Sequence, residues 1–147
     1  MTNVRPLTAT DKPEWLRLWR AYLAFYQTEL SPEIYDTYFE RLLGDDPQDF
    51  HGLIAEVDGK PVGLAHYVFH RHGWKLENTC YLQDVYADPN VRGQGVGRAL
   101  IEAVYSEADI ANAPSVYWLT QDFNAQARKL YDRVGTLSPF IKYTRPL

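Results

Sequence analysis

Apolar residues recur along the chain in two rhythms, and the place where one gives way to the other separates a helical opening from a sheet. Trp15, Leu18, Trp19, Tyr22 and Tyr26 fall at helical spacing behind Asp11, an N-cap residue with Glu14 three places on. Ser31-Pro32 is a second start signal, a capping residue followed by proline at the first helical position, and Tyr35, Tyr38, Phe39 and Leu42 keep the same period. Gly44 and Pro47 close this second helix. Ahead of both, Asn3 to Leu7 reads as a short strand.

From His51 the spacing changes to short, nearly continuous apolar runs. His51 to Val57 and Pro61 to about His70 are strands joined by Asp58-Gly59, a strong two-residue hairpin signal, which makes them an antiparallel pair. Trp74 to Asn78 reads as a loop, and Thr79 to Ala87, rich in aromatic and β-branched residues, as a third strand of the same sheet. Behind it, Asp88 to Arg98 is a glycine-bearing turn that becomes a helix through Val96, Ala99, Leu100, Ala103, Val104 and Ala108. Pro114 precedes a strand over Ser115 to Thr120, and Asn124 caps a last helix with Ala127, Leu130, Tyr131 and Val134 on its apolar face. Phe140 to Tyr143 makes a final short strand. No repeat, low-complexity tract or linker interrupts this order, so a single domain over residues 1–147 is expected, of α/β (α+β) class with helices on the faces of a sheet.

Composition narrows the partners. The 147 residues carry a net charge of −4, so no basic surface is on offer to phosphates, and nucleic acid is not an expected partner. No charged-then-apolar leader or long uncharged apolar run points to export or membrane insertion, and Cys80, the lone cysteine, has no internal partner. A soluble, reducing, cytoplasmic setting without a membrane partner is expected.

Candidate chemistry concentrates between Asp84 and Arg98. Gly93, Gly95 and Gly97 stand at alternate positions just before a helix, where glycine lets the backbone approach a ligand and the helix start offers unpaired amides and a positive dipole end. A tight strand-to-helix turn needs glycines too. Arg92 and Arg98 add charge-assisted donors beside the amides, and an arginine at a helix start opposes the dipole unless it meets an anion, so the loop is read as a phosphate site. It is neither a P-loop nor a dinucleotide fingerprint, because Arg98 stands where each motif needs glycine.

These residues resemble the coenzyme loop of the GNAT superfamily of N-acetyltransferases, which reads Gln or Arg, two residues, Gly, one residue, then Gly or Ala; Arg92, Gly95 and Gly97 match it in full. The likeness runs from the first helices through Tyr131 and the final strand. It implies a GNAT-like mixed, mostly antiparallel central sheet flanked by helices on both faces, and acetyl-CoA as donor. The amides of Gly93, Gln94, Gly95, Val96, Gly97 and Arg98 would then hold the coenzyme A pyrophosphate. The segments Cys80 to Tyr86, Tyr117 to Thr120 and Arg128 to Asp132 look like the branch of polyamine, thialysine and Hpa-type histone acetyltransferases. In that likeness the backbone of Val85, Tyr86 and Ala87 pairs with the pantetheine arm, and an amide near Val85 polarises the acetyl carbonyl. Asn124 contacts the arm, and Tyr131 is the acid that meets the leaving thiolate. Family members are commonly dimers or larger, which implies a homo-oligomer.

The reaction sets its own requirements. An alkyl ammonium has a reference pKa near ~10.4, and only the neutral amine attacks a thioester, so a nearby acid must attract the cation and take a proton. Asp84, a carboxylate in an otherwise apolar strand, is the candidate. It suits equally a structural acid paired with an arginine or tyrosine. The polyamine branch resembles Glu-Asp where this chain has Gln83-Asp84, and an amide offers no titrating group, which leaves a water relay open. A backbone amide at a bulge in this strand would serve as the oxyanion donor. Tyr131 lies on the apolar stripe of its helix, a place for a core tyrosine as much as for an acid, and Asn124 is an N-cap whatever else it touches.

Aromatic residues crowd the first two helices, and with Glu29 nearby they would suit an ammonium through cation–π attraction, so Glu29, Gln83 and Asp84 are the candidate acceptor contacts. His72 and Trp74 stand just before the Asp84 strand, at the rim of such a pocket. His66, His70 and His72 share strand parity, but no cysteine or carboxylate joins them at ligand spacing, and no metal is expected. Cys80 has no evident activating base, which favours direct attack in a ternary complex over an acetylated enzyme. Two functions fit: acetyl transfer to a primary amine (a polyamine, a lysine-like amino acid or a protein lysine side chain), or a non-catalytic coenzyme-A-binding sensor or regulatory module.

Overall fold

The computed structural model describes all of Met1 to Leu147. In chain order the elements are β1 (Thr2–Pro6), α1 (Lys12–Phe25), α2 (Pro32–Leu43), β2 (His51–Val57), β3 (Lys60–His70), β4 (Thr79–Ala87), α3 (Val96–Ile110), β5 (Val116–Tyr117) and α4 (Ala125–Val134), with 3-10 turns at Ala9–Asp11 and Pro89–Val91. The strands form one sheet in the order β1-β2-β3-β4-β5, antiparallel throughout except for the parallel pair β4-β5. This is the mixed, mostly antiparallel sheet with helices on both faces that the family resemblance implies.

Helices on both faces explain why β2 and β3 read as continuous apolar runs rather than alternating ones. Leu53, Ala55 and Ala65 point into a core under α3, completed by Leu100, Ile101 and Val104. Ile54 and Leu64, their neighbours in sequence, point into a second core against α1 and α2, where Trp15, Leu18 and Phe39 are packed. The hairpin between β2 and β3 turns on Asp58 (φ 52°) and Gly59 (φ 75°), both left-handed as a type I′ turn demands. Arg5 of β1 and Asp11 tie the chain entry to the sheet: the guanidinium donates to both Asp11 oxygens at 2.8 Å and holds that carboxyl down at about 2. Asp11 precedes α1 as expected, yet its side chain makes no cap bond to the helix and instead accepts the backbone N–H of Thr8 at 2.8 Å.

Two expectations need correction at the far edge. The strand expected over Ser115 to Thr120 is only Val116–Tyr117, and Trp118 turns away to pack edge-on against Tyr131, with ring centroids 5.5 Å apart. The strand expected at Phe140 to Tyr143 does not form, and Phe140 and Ile141 are left about four-fifths exposed, at 81% and 79%. A strand needs a neighbour of comparable length to bond to, and the two residues of β5 offer too short an edge.

Gly63 is where β3, β4 and α3 come closest. A Cβ there would lie 2.8 Å from the Tyr86 carbonyl oxygen and 3.1 Å from methyls of Leu100 and Val96. Gly63→Ala is therefore expected to lower stability by about 1–3 kcal/mol, read from the denaturant midpoint. An unchanged midpoint would contradict this packing.

Candidate active site

The glycine loop divides its labour. Gly93 (φ 80°) and Gly95 (φ 76°) are left-handed, with nothing within 4 Å of where a Cβ would stand. Gly97 serves packing instead: a Cβ there would meet Leu130 of α4 at 3.1 Å. Gly95 is the N-cap of α3, and its carbonyl takes the first helical bond from Ala99 at 2.9 Å. The amides of Gly93, Gly95, Val96, Gly97 and Arg98 find no backbone acceptor in the chain, whereas that of Gln94 is spent on the Val91 carbonyl at 3.2 Å. Arg98 pairs with Glu102 at 2.7 Å and Arg92 donates to Gln126 at 3.3 Å, so both arginines have exposed, easily exchanged partners. Bare amides at a helix start beside two cations have the donors that an anion such as a diphosphate requires.

The route from this loop runs along β4. On one side Val85, Tyr86 and Ala87 pair with Ala65, Leu64 and Gly63 of β3. On the other, β5 pairs only with Cys80 and Tyr81, so the backbone from Gln83 to Ala87 faces no strand. Such an edge is a template for any extended chain carrying amides.

A bulge interrupts this strand just before the open stretch. His66 pairs with Asp84 and Tyr67 with Leu82, which leaves Gln83 as an extra residue without a partner in β3. Parity reverses across it. Cys80 and Leu82 lie in the core under α3, and so do Val85 and Ala87 beyond the bulge. Asp84 is thereby turned to the opposite face, against α1 and α2, while Gln83 is exposed.

There Asp84, only 5% exposed, is held by two donors on one oxygen: the Tyr38 hydroxyl at 2.8 Å and His66 Nδ1 at 2.9 Å, both on Oδ2. His66 is wholly buried and accepts the indole N–H of Trp15 on Nε2 at 2.8 Å. Burial and then the Asp84 charge push the phenols of Tyr22 and Tyr38 well above the usual tyrosine range. The tyrosine partner weighed for Asp84 in the sequence is thus Tyr38. His66, considered there only with His70 and His72, is its second partner; the three histidines are not brought together. His70 bonds Tyr117 and the Arg71 carbonyl, and His72 lies in the loop beside the exposed Trp74.

Tyr38 and Gln83 also line an open cleft of about 570 Å3, walled by Trp19, Leu30, Ile34 and Phe50 with Glu33 and Arg41 at its polar side. Glu29 is one residue short of it: exposed in the α1–α2 connection, it does not line the cleft, and Glu33 does. Tyr131 is half-buried on α4, where burial, with a smaller contribution from Tyr26, raises its phenol to about 12. The charges of Asp84 and, more weakly, Tyr131 both add to the upward push on the Tyr22 phenol. Asn124 caps α4 through a long bond to the Ala127 amide at 3.4 Å. Cys80 is buried under α3, and burial pushes its thiol up to about 12, far from a thiolate at neutral pH.

A model of the GNAT acetyltransferase family matches residues 15–136. Over 143 residues, 97% of this chain and 89% of the relative, the sequence is 35% identical to the D-amino-acid N-acetyltransferase HPA3 of Saccharomyces cerevisiae. It is 29% identical over 148 residues to the thialysine N-epsilon-acetyltransferase of Mus musculus, covering 91% of this chain and 83% of that one. In fold it is similar to AAC(6')-Iy solved with the bisubstrate analog CoA-S-monomethyl-acetylneamine, at a TM-score of 0.82 and 19% identity over 100% of this chain and 99% of that one. No helix is long and apolar enough to cross a membrane. With a family model matching residues 15–136 and a relative 35% identical over nearly the whole length, the chain belongs to the GNAT family of acetyltransferases.

Proposed function

We propose that the protein transfers acetyl from acetyl-CoA to the primary amine of a small, amino-acid-like acceptor by direct attack. The observation that carries this reading is the free edge of β4, which leads from the bare amides at the start of α3 to Asp84 and its neighbour Gln83, a residue of the cleft lining. The amides of Gly93 and Gly95 to Arg98 hold the diphosphate, and Val85, Tyr86 and Ala87 bond the amides of the pantetheine arm. Asn124, whose Oδ1 is used in capping, keeps its side-chain NH2 for the arm.

The acceptor enters through the cleft, its ammonium drawn to the Asp84 carboxylate. Asp84 takes the proton, directly or through water, and Gln83 orients the amine by hydrogen bonding. The nitrogen lone pair then forms a bond to the thioester carbon. A backbone amide at Val85, just past the bulge, faces the charge that develops on oxygen, and a fixed donor in such a place typically contributes about 3–4 kcal/mol. As the C–S bond breaks, Tyr131 gives its phenolic proton to the sulfur, and the second proton, shed by the acylated nitrogen, returns through water to the phenolate, leaving amide and free thiol. With its phenol raised to about 12, Tyr131 is protonated at neutral pH and ready for that role. The buried, protonated Cys80 has no part, which supports a ternary complex over a covalent acetyl-enzyme.

Arg41 lines the cleft and makes no ion pair within the chain, so a carboxylate on the acceptor has a partner waiting. The names of the yeast and mouse relatives, which act on a D-amino acid and on thialysine, are in line with such an acceptor.

Purified protein mixed with acetyl-CoA and an amine panel is expected to release free thiol above the hydrolysis blank. Tyr131→Phe should lower kcat by about 100-fold while leaving the KM for acetyl-CoA nearly unchanged. Coenzyme binding without thiol release for any amine would instead support the sensor reading. Lysine and its decarboxylated counterpart cadaverine separate the acceptor classes: Arg41→Gln should cost about tenfold or more in kcat/KM for lysine and leave cadaverine alone. Equal losses on both would contradict a carboxylate contact.

A further inference from the structure

We infer that His66 is a positioning residue for Asp84, locked as its Nδ1–H tautomer by the buried indole of Trp15, so that Asp84 offers only Oδ1 to the acceptor ammonium. This rests on the reading above that Asp84 receives the amine.

The tautomer follows from donor and acceptor capacity. An indole N–H donates and never accepts, so His66 Nε2, 2.8 Å from it, carries a lone pair and no proton. The proton of the ring is then on Nδ1 and points at Asp84 Oδ2 over 2.9 Å. The Tyr38 hydroxyl gives a second hydrogen bond to the same oxygen at 2.8 Å. Oδ2 is thus occupied from two sides, which leaves Oδ1 as the oxygen with room for the ammonium, with the Tyr22 phenol as the further side-chain donor to this carboxylate. Tyr22 of α1 and Tyr81 of β4 are the remaining titratable neighbours of this carboxylate, and burial raises both phenols.

The same residues account for the bulge. His66 is the β3 partner of Asp84, and the pair sits where the register slips past Gln83. The hydrogen bond between their side chains therefore spans the strands at the site of the irregularity and fixes which way Asp84 faces. Trp15, fully buried on α1, ties this point to the helix that walls the cleft. Removing the donor at Nδ1 leaves a buried carboxylate oxygen under-bonded and its rotamer free, which acts on the amine and not on the coenzyme.

Two substitutions part a positioning role from a packing one. In His66→Asn the amide nitrogen falls close to where Nδ1 was, keeping the donor to Asp84 but leaving a void and an unmatched Trp15 N–H. In His66→Gln the amide falls at the Nε2 position, keeping volume and the Trp15 contact but losing the donor. Stability should therefore favour Gln and activity should favour Asn. Assayed below both melting midpoints, His66→Gln is expected to lose about tenfold or more in kcat/KM for the amine, with the KM for acetyl-CoA unmoved. His66→Asn should stay within about threefold of the parent.

Activity that tracks stability, with Gln at or above Asn, would overturn the inference. Asp84→Asn in the same assay separates the two levels. If it is fully active, the role given to Asp84 is wrong; if it is inactive while His66→Gln is not, only the role of His66 is wrong. Nitrogen NMR of the unsubstituted protein at neutral pH gives a readout independent of folding variants: His66 should show a protonated Nδ1 and a bare Nε2. A proton on Nε2 would refute the lock.

Discussion

One inserted residue in β4 sets the geometry on which the site depends. A regular strand would send Asp84 to the same face as Cys80 and Leu82, into the core under α3, where a carboxylate has no partner. With Gln83 left over at the bulge, parity reverses, Asp84 turns toward Tyr38 and His66, and Val85 and Ala87 take up the core positions that Leu82 would otherwise have continued. Burying the carboxylate is tolerable only because two hydrogen bonds meet it there. The bulge and the hydrogen bonds from His66 and Tyr38 are thus one arrangement rather than three features.

The rest of the site is arranged around the same strand. Upstream of the bulge β4 is closed by β5, and downstream it is open, so the free backbone begins where Asp84 and Gln83 emerge and ends where the glycine loop begins. Anion-seeking amides lie at one end and a carboxylate at the other, which matches a substrate pair that is negative at the diphosphate and positive at the amine. Aromatic side chains from α1 and α2 form the wall between. Tyr38 belongs to both halves, bonding Asp84 with its hydroxyl and lining the cleft with its ring.

Much of this was legible in the residue pattern. The helices of the first half, the Asp58-Gly59 hairpin and the strand, glycine loop and helix order stand where periodicity and turn chemistry put them, because each is decided by local rules. Two long-range matters were not. Whether Phe140 to Tyr143 pairs depends on an edge that β5 does not extend far enough to provide, and nothing in those four residues records it. The partners of Asp84 come from two separate elements, α2 and β3, and a bulge is invisible in the apolar pattern of a strand covered on both faces. A signal was present for His66: a histidine amid an otherwise apolar strand must find hydrogen-bond partners when buried. That Glu29 does not line the cleft has a related reason, since charge near a pocket in sequence says little about which residue of a loop lines it, and Glu33 on α2 lines it instead.

A crystal structure with acetyl-CoA bound tests the central claim most directly, that the backbone from the glycine loop to the bulge aims a thioester at Asp84. The diphosphate should rest on the amides of Gly93 and Gly95 to Arg98, the arm should pair with Val85 to Ala87, and the acetyl carbon should sit between Asp84 and Tyr131. A coenzyme lying away from β4, or a thioester facing neither residue, would contradict it.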